Sequence, residues 1–76
     1  MVSKEIGKEL KAIRIRNGLT LQDVENALNI HKNTISFYEN HSEKMKVNIL
    51  EKLLNFYNVN IYIFFKTICE YIHYEN

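Results

Sequence analysis

The stretch Leu19 to Asn40, LTLQDVENALNIHKNTISFYEN, limits the possible folds more than any other part of the chain. Thr20 followed by Asp23 forms a capping box with Asp in place of Glu, and Leu19 with Val24 has the spacing of a hydrophobic staple, so a helix starts at Leu21. That helix buries Val24, Leu28 and Ala27. It stops at Asn29, one of the few non-glycine residues that enters the left-handed conformation cheaply. Ile30 plugs the corner, and a second helix runs from about His31 to Asn40 with Ile35 and Tyr38 inward. Two short helices across so tight a turn are a helix-turn-helix unit.

The flanking sequence extends the same pattern. There is no Pro, only two Gly, and 46% of residues are hydrophobic, a composition suited to helices joined by short turns. The fold class is therefore all α. Ser3 caps a first helix over about residues 4–17, with Ile6, Leu10 and Ile13 on one face and Gly18 as a left-handed stop. Residues 41–46, HSEKMK, read as a polar loop. Val47, Leu50, Leu53, Leu54 and Tyr57 pattern a fourth helix, with Asn58 as its stop. Asn60 caps a fifth, extended helix in which Ile61, Phe64, Phe65, Ile68 and Ile72 share one stripe, Tyr71 lies at its edge, and Tyr62 and Cys69 fall outside. The expected architecture is a five-helix bundle in a single domain, residues 1–76, near the small end of what folds without a disulfide or metal.

Several function classes are disfavoured. The single cysteine, Cys69, forms no internal disulfide, so nothing points to an oxidising compartment. The charged start lacks the apolar core of a signal peptide, and the longest apolar run, Ile61 to Phe65, is too short to span a bilayer. A cytoplasmic protein is expected. His31, His41, His73 and Cys69 match no zinc spacing, no catalytic arrangement stands out, and no cofactor is implied. Net charge is only +1, but residues 1–16 hold Lys4, Lys8, Lys11, Arg14 and Arg16 against Glu5 and Glu9. That local excess of +3 is hidden by a remainder of −2.

The order of these elements, with Arg14 four residues before Gly18, the Leu19-Thr20 entry, Val24, Leu28, Ile30, Thr34-Ile35-Ser36 and Glu39, resembles the phage-repressor/Cro-type helix-turn-helix family, often called XRE. The resemblance covers residues 5–65. Four positions depart from it: Glu25 stands where the family has a small residue, Asn29 where it has Gly, and His41 where Gly follows the Glu39 position, while the loop Pro is replaced near Met45. Glu25 is accommodated if its carboxylate points outward or pairs with a Lys. The resemblance implies an internal ion pair between Arg14 and Glu39, a third helix that enters the DNA major groove, and a second helix whose N-terminus meets a phosphate.

At 100° per residue, Asn33, Ser36, Phe37 and Asn40 share a stripe opposite Ile35 and Tyr38, with Lys32 at its leading end. In a groove, Lys32 can donate to guanine, Asn33 can bond adenine in bidentate fashion, Ser36 suits a base edge, and Phe37 can rest on a thymine methyl. The competing reading of Phe37 packs it against the fourth helix or the 41–46 loop. Thr20, Gln22, Asn40, Lys44 and Lys46 are the expected phosphate contacts; the Lys4, Lys8 and Lys11 face reads as solvated. Homodimerisation is expected through Ile61, Phe64, Phe65, Ile68, Tyr71 and Ile72. The function these readings favour is a DNA-binding regulator, most simply a repressor. Two alternatives stay open: a protein-interaction module of antirepressor or antitoxin type, kept alive by Asp23, Glu25, Glu39 and Glu43, and the N-terminal domain of a longer regulator.

Overall fold

In the computed structural model, which describes the backbone of residues 2–75 and the side chains of residues 5–70, the chain forms α1 (Val2–Arg16), α2 (Leu21–Leu28), α3 (Lys32–Asn40), a short 3₁₀ turn (Ser42–Lys44), α4 (Val47–Phe56) and α5 (Ile61–Glu75). Each expected stop is taken by a residue in the left-handed region: Gly18 at φ 69°, Asn29 at 56° and Asn58 at 57°. The starts are also specified locally. Thr20 Oγ1 accepts from Asp23 N–H at 3.0 Å while Asp23 Oδ2 accepts from Thr20 N–H at 2.8 Å, closing the capping box. Asn60 Oδ1 accepts from the N–H groups of Tyr62 and Ile63 at the head of α5. Ser3 lies inside α1, not ahead of it.

The core gathers Leu10 and Ile13 from α1, Val24 from α2, Ile35 from α3, Leu50, Leu53 and Leu54 from α4, Tyr57, and Phe64 and Ile68 from α5. α1 packs on α3 and α5, and α2 packs on α3 and α4. Two residues expected inside are outside. Ala27 is exposed, because Leu21 and Leu28 fall on one side of Val24 around the α2 axis and Ala27 on the other. Val47 is 69% exposed; the buried i, i+3, i+4, i+7 set of α4 begins one turn later, at Leu50.

The 41–46 loop is less polar in its surroundings than its composition suggests. Ser42 is buried, and its Oγ accepts from Gly7 N–H at 3.1 Å. Gly7 itself lies where α1 crosses the end of α3. A Cβ there would collide with the Glu39 carbonyl oxygen and stand 3.0 Å from that of Tyr38, so only glycine permits this approach.

Candidate nucleic-acid interface

Three segments meet at one buried ion pair. Arg14 Nε–H donates to Glu39 Oε2 at 2.7 Å and its Nη2–H to Oε1 at 3.1 Å, while Nη1–H donates to the Leu19 carbonyl at 2.9 Å. The two-pronged pairing fixes the end of α3 to α1, and the third bond holds the entry to α2 in the same frame. Both side chains are nearly inaccessible, and the hydrogen bond to Glu39 holds the guanidinium above its ordinary range.

Tyr57 is buried beside this pair. Its hydroxyl has no hydrogen-bond partner among the described residues, and burial, reinforced by the Glu39 carboxylate and opposed by Arg14, pushes the phenol from 10.0 up to about 12. A pKa raised on folding gives a contribution that is complete below the unfolded value and disappears as pH climbs through the folded one. The protein is therefore expected to lose roughly 1–2 kcal/mol of stability between pH 10 and pH 12 from this group. Tyr57→Phe deletes an unpartnered hydroxyl, so it should be neutral or up to about 1 kcal/mol stabilising at pH 7 and should remove that alkaline loss. Urea titrations at pH 7 and pH 11 check both statements; a clear loss at pH 7 would show that the hydroxyl has a partner in solution.

Against this fixed frame, α3 turns one face outward. Lys32 and Asn33 are exposed, Ser36 is half-buried, and Phe37 is 43% exposed. The Lys32 ammonium and the Asn33 amide have no hydrogen bond or ion pair among the described residues, which leaves both free for an external partner. Phe37 leans on its own helix end, with its ring centroid 4.9 Å from that of His41 and 5.8 Å from that of Tyr38. It therefore packs on the first residue of the 41–46 loop with one face, and the other face is open.

The expected phosphate contacts divide into two groups. Lys44 and Lys46 are exposed and make no ion pair among the described residues. The other three have internal work: Thr20 Oγ1 is in the capping box, Gln22 Nε2–H donates to Asn26 Oδ1 at 2.9 Å and to Glu25 Oε2 at 3.3 Å, and Asn40 Nδ2–H folds back onto the Ser36 carbonyl at 2.8 Å. Lys8 is exposed and lies 3.6 Å from Glu5, and Lys11 is exposed. The Lys4 side chain lies outside the described residues.

The N-terminus of α3 holds a feature that periodicity did not reveal. Glu25 neither points freely outward nor pairs with a lysine ammonium: its Oε1 accepts the backbone N–H of Lys32 at 2.7 Å. That bond, ahead of smaller contributions from its neighbours, holds the Glu25 carboxyl below the ordinary carboxylate range. One residue further along, His31 Nδ1 accepts from Asn33 N–H at 3.0 Å. Two of the orphan donors of α3 are thus satisfied by side chains, one of them reaching across the corner from α2.

The expected dimer stripe is split. Phe64 and Ile68 are each 2% exposed and belong to the core of this chain, so they are withdrawn from any interface. Ile61 is 47% and Tyr62 73% exposed; with half-buried Phe65, Lys66 and exposed Cys69 they line an apolar groove along α5. Tyr71 and Ile72 lie outside the described side chains. Among the searched residues no cluster of metal-ligating side chains gathers, and no helix of the described residues is long and apolar enough to cross a membrane.

Two short helices set by a left-handed corner, the second presenting an open polar and aromatic face and pinned to α1 by a buried ion pair, define a helix-turn-helix protein. A family model for helix-turn-helix domains matches residues 10–64, most of the chain. The protein belongs to the XRE-type helix-turn-helix family and is a DNA-binding transcription regulator of that type. Comparison with curated proteins and with solved structures gave no significant match.

Proposed function

We propose that the protein is a sequence-specific repressor that occupies a near-palindromic operator as a homodimer, with α3 in the major groove. The observation that carries this reading is the uncommitted outer face of α3. Lys32 and Asn33 keep their side-chain donors free, and Phe37 beside them offers an apolar surface suited to a thymine methyl. Lys44 and Lys46 flank the unit and contact phosphates, together with the free N–H groups of the first turn of α2. Self-association uses Ile61, Tyr62 and Phe65 on the outer side of α5, because Phe64 and Ile68 are committed to the core. Two copies then set their recognition helices about 34 Å apart, one turn of the duplex.

Few basic side chains serve phosphates in each copy, so non-specific binding is weak at near-physiological salt. Selection from a random duplex library tests the proposal. The expected product is an inverted repeat with half-site centres about 10 bp apart, bound far more tightly than scrambled DNA at near-physiological salt. Asn33→Ala should weaken binding to the selected duplex by about 1–3 kcal/mol and leave binding to the scramble unchanged. No enrichment in the selection, or an equal loss on both duplexes, would remove α3 from the groove.

A further inference from the structure

Glu25 is the one acidic side chain that reaches from α2 to the start of α3. Among the described residues it bonds neither the nearby lysine ammonium nor any other cation, but the main-chain N–H of Lys32 at 2.7 Å. We infer that Glu25 is a positioning residue for DNA specificity: its carboxylate holds the first turn of α3 in register, so that Lys32 and Asn33 meet the base edges from a fixed backbone. The inference rests on the reading of α3 as the helix that enters the groove.

Three observations support it. Glu25 is itself braced, since Gln22 Nε2–H donates to Oε2 at 3.3 Å and Gln22 is tied in turn to Asn26. The contact therefore belongs to a short chain of surface side chains running along α2 to the corner. The second bond at this helix end, from Asn33 N–H to His31 Nδ1 at 3.0 Å, fixes the adjacent residue. The two backbone donors held by side chains thus belong to Lys32 and Asn33, the residues whose own side chains are free. Finally, α3 has only nine residues, too few to be stable by propensity alone, and a helix of that length depends on its caps and its packing.

The charge of Glu25 adds a second consequence. A carboxylate next to the N-terminus of the recognition helix stabilises that end and also repels any phosphate brought close to it. Approach to a backbone out of register is thereby penalised, whichever bases follow. Specific binding needs the ordered first turn; non-specific binding through Lys44 and Lys46 does not. If the turn frays, the loss falls on the specific complex alone, because its affinity scales with the population of the competent conformer.

Glu25→Ala and Glu25→Gln, measured on the library-selected duplex and on its scramble, separate these contributions. For Glu25→Ala the affinity for the selected duplex should fall roughly 2- to 30-fold, the range of a lost helix cap, while affinity for the scramble stays level or rises because a negative charge has gone. Glu25→Gln keeps an oxygen acceptor for Lys32 N–H and loses only the charge, so it should recover the affinity for the selected duplex while affinity for the scramble stays level or rises. A merely destabilised fold would lower both affinities together. That outcome, an unchanged ratio in Glu25→Ala, or a Glu25→Gln that behaves like the alanine variant would each overturn the inference. If the unaltered protein selects no sequence, the groove reading of α3 fails instead.

Discussion

Glu39→Ala is expected to lower the stability of the protein by about 3–5 kcal/mol, the amount set by leaving the Arg14 guanidinium buried without its counter-charge. Arg14 gives two hydrogen bonds to Glu39 and one to the Leu19 carbonyl, and both partners are buried. A chain of this size has a total stability of only roughly 4–11 kcal/mol, so the variant should be substantially unfolded at 37 °C. Urea titration followed by circular dichroism measures the loss. The pair itself need not be strongly stabilising, since desolvation offsets much of its attraction; what costs is the uncompensated charge. Arg14→Met combined with Glu39→Leu should therefore recover most of the stability. If Glu39→Ala cost less than about 1 kcal/mol, the range of exposed pairs, the ion pair would have to be water-exposed in solution.

The same pair shows what a sequence can and cannot disclose about this fold. The helix boundaries were legible because they are written in residues with local chemistry: Thr20 and Asp23 bond each other across one turn, and Gly18, Asn29 and Asn58 take the left-handed conformation that few residues tolerate. The core of α4 was legible from its period, apart from Val47, whose turn precedes the buried set. Contacts between helices were not. Nothing in the spacing of Glu25 and Lys32, seven residues apart across a corner, announces a hydrogen bond between them; it exists because the corner angle brings the α2 side chain to the α3 backbone. A polar residue where the family has a small one was the available signal. Gly7 carried a comparable hint, since glycine inside a helix costs about 1 kcal/mol against alanine and is kept where another backbone approaches closely, here that of Glu39.

The outer face of α3 was readable for the same reason as the helix boundaries, because helical period alone separates Asn33 and Phe37 from Ile35. The expected phosphate contacts were harder to read. Thr20, Gln22 and Asn40 have polar side chains suited to a phosphate, yet each hydrogen-bonds within its own helix or cap. A polar side chain's preference for an internal partner depends on rotamers that no linear pattern records. In α5 the period placed Phe64 and Ile68 on the same stripe as Ile61 and Phe65, and it could not tell which part of a wide apolar surface would meet the chain's own core. The fold resolves this by turning Phe64 and Ile68 onto that core, with Phe64 edge-on to Phe65 at 5.4 Å between ring centroids.

That division makes Phe64 and Phe65 separable by experiment although they are neighbours. Phe64 is 2% exposed, and Phe64→Ala should cost about 3–5 kcal/mol through lost burial and the cavity left behind. Because the side chain belongs to its own subunit's core, the loss should appear as a lower urea midpoint even at concentrations where the protein is monomeric. Phe65 is half-buried beside exposed Ile61 and Tyr62. Phe65→Glu should leave the monomer folded and instead weaken self-association, moving the sedimentation-equilibrium mass toward that of one chain and reducing affinity for the two-site duplex more than for a half-site. If Phe64→Ala changed only association, or Phe65→Glu unfolded the monomer, the two faces of α5 would have to be exchanged. Should the unaltered protein itself sediment with the mass of a single chain, this face would form no dimer, and operator occupancy would rest on one recognition helix at a time.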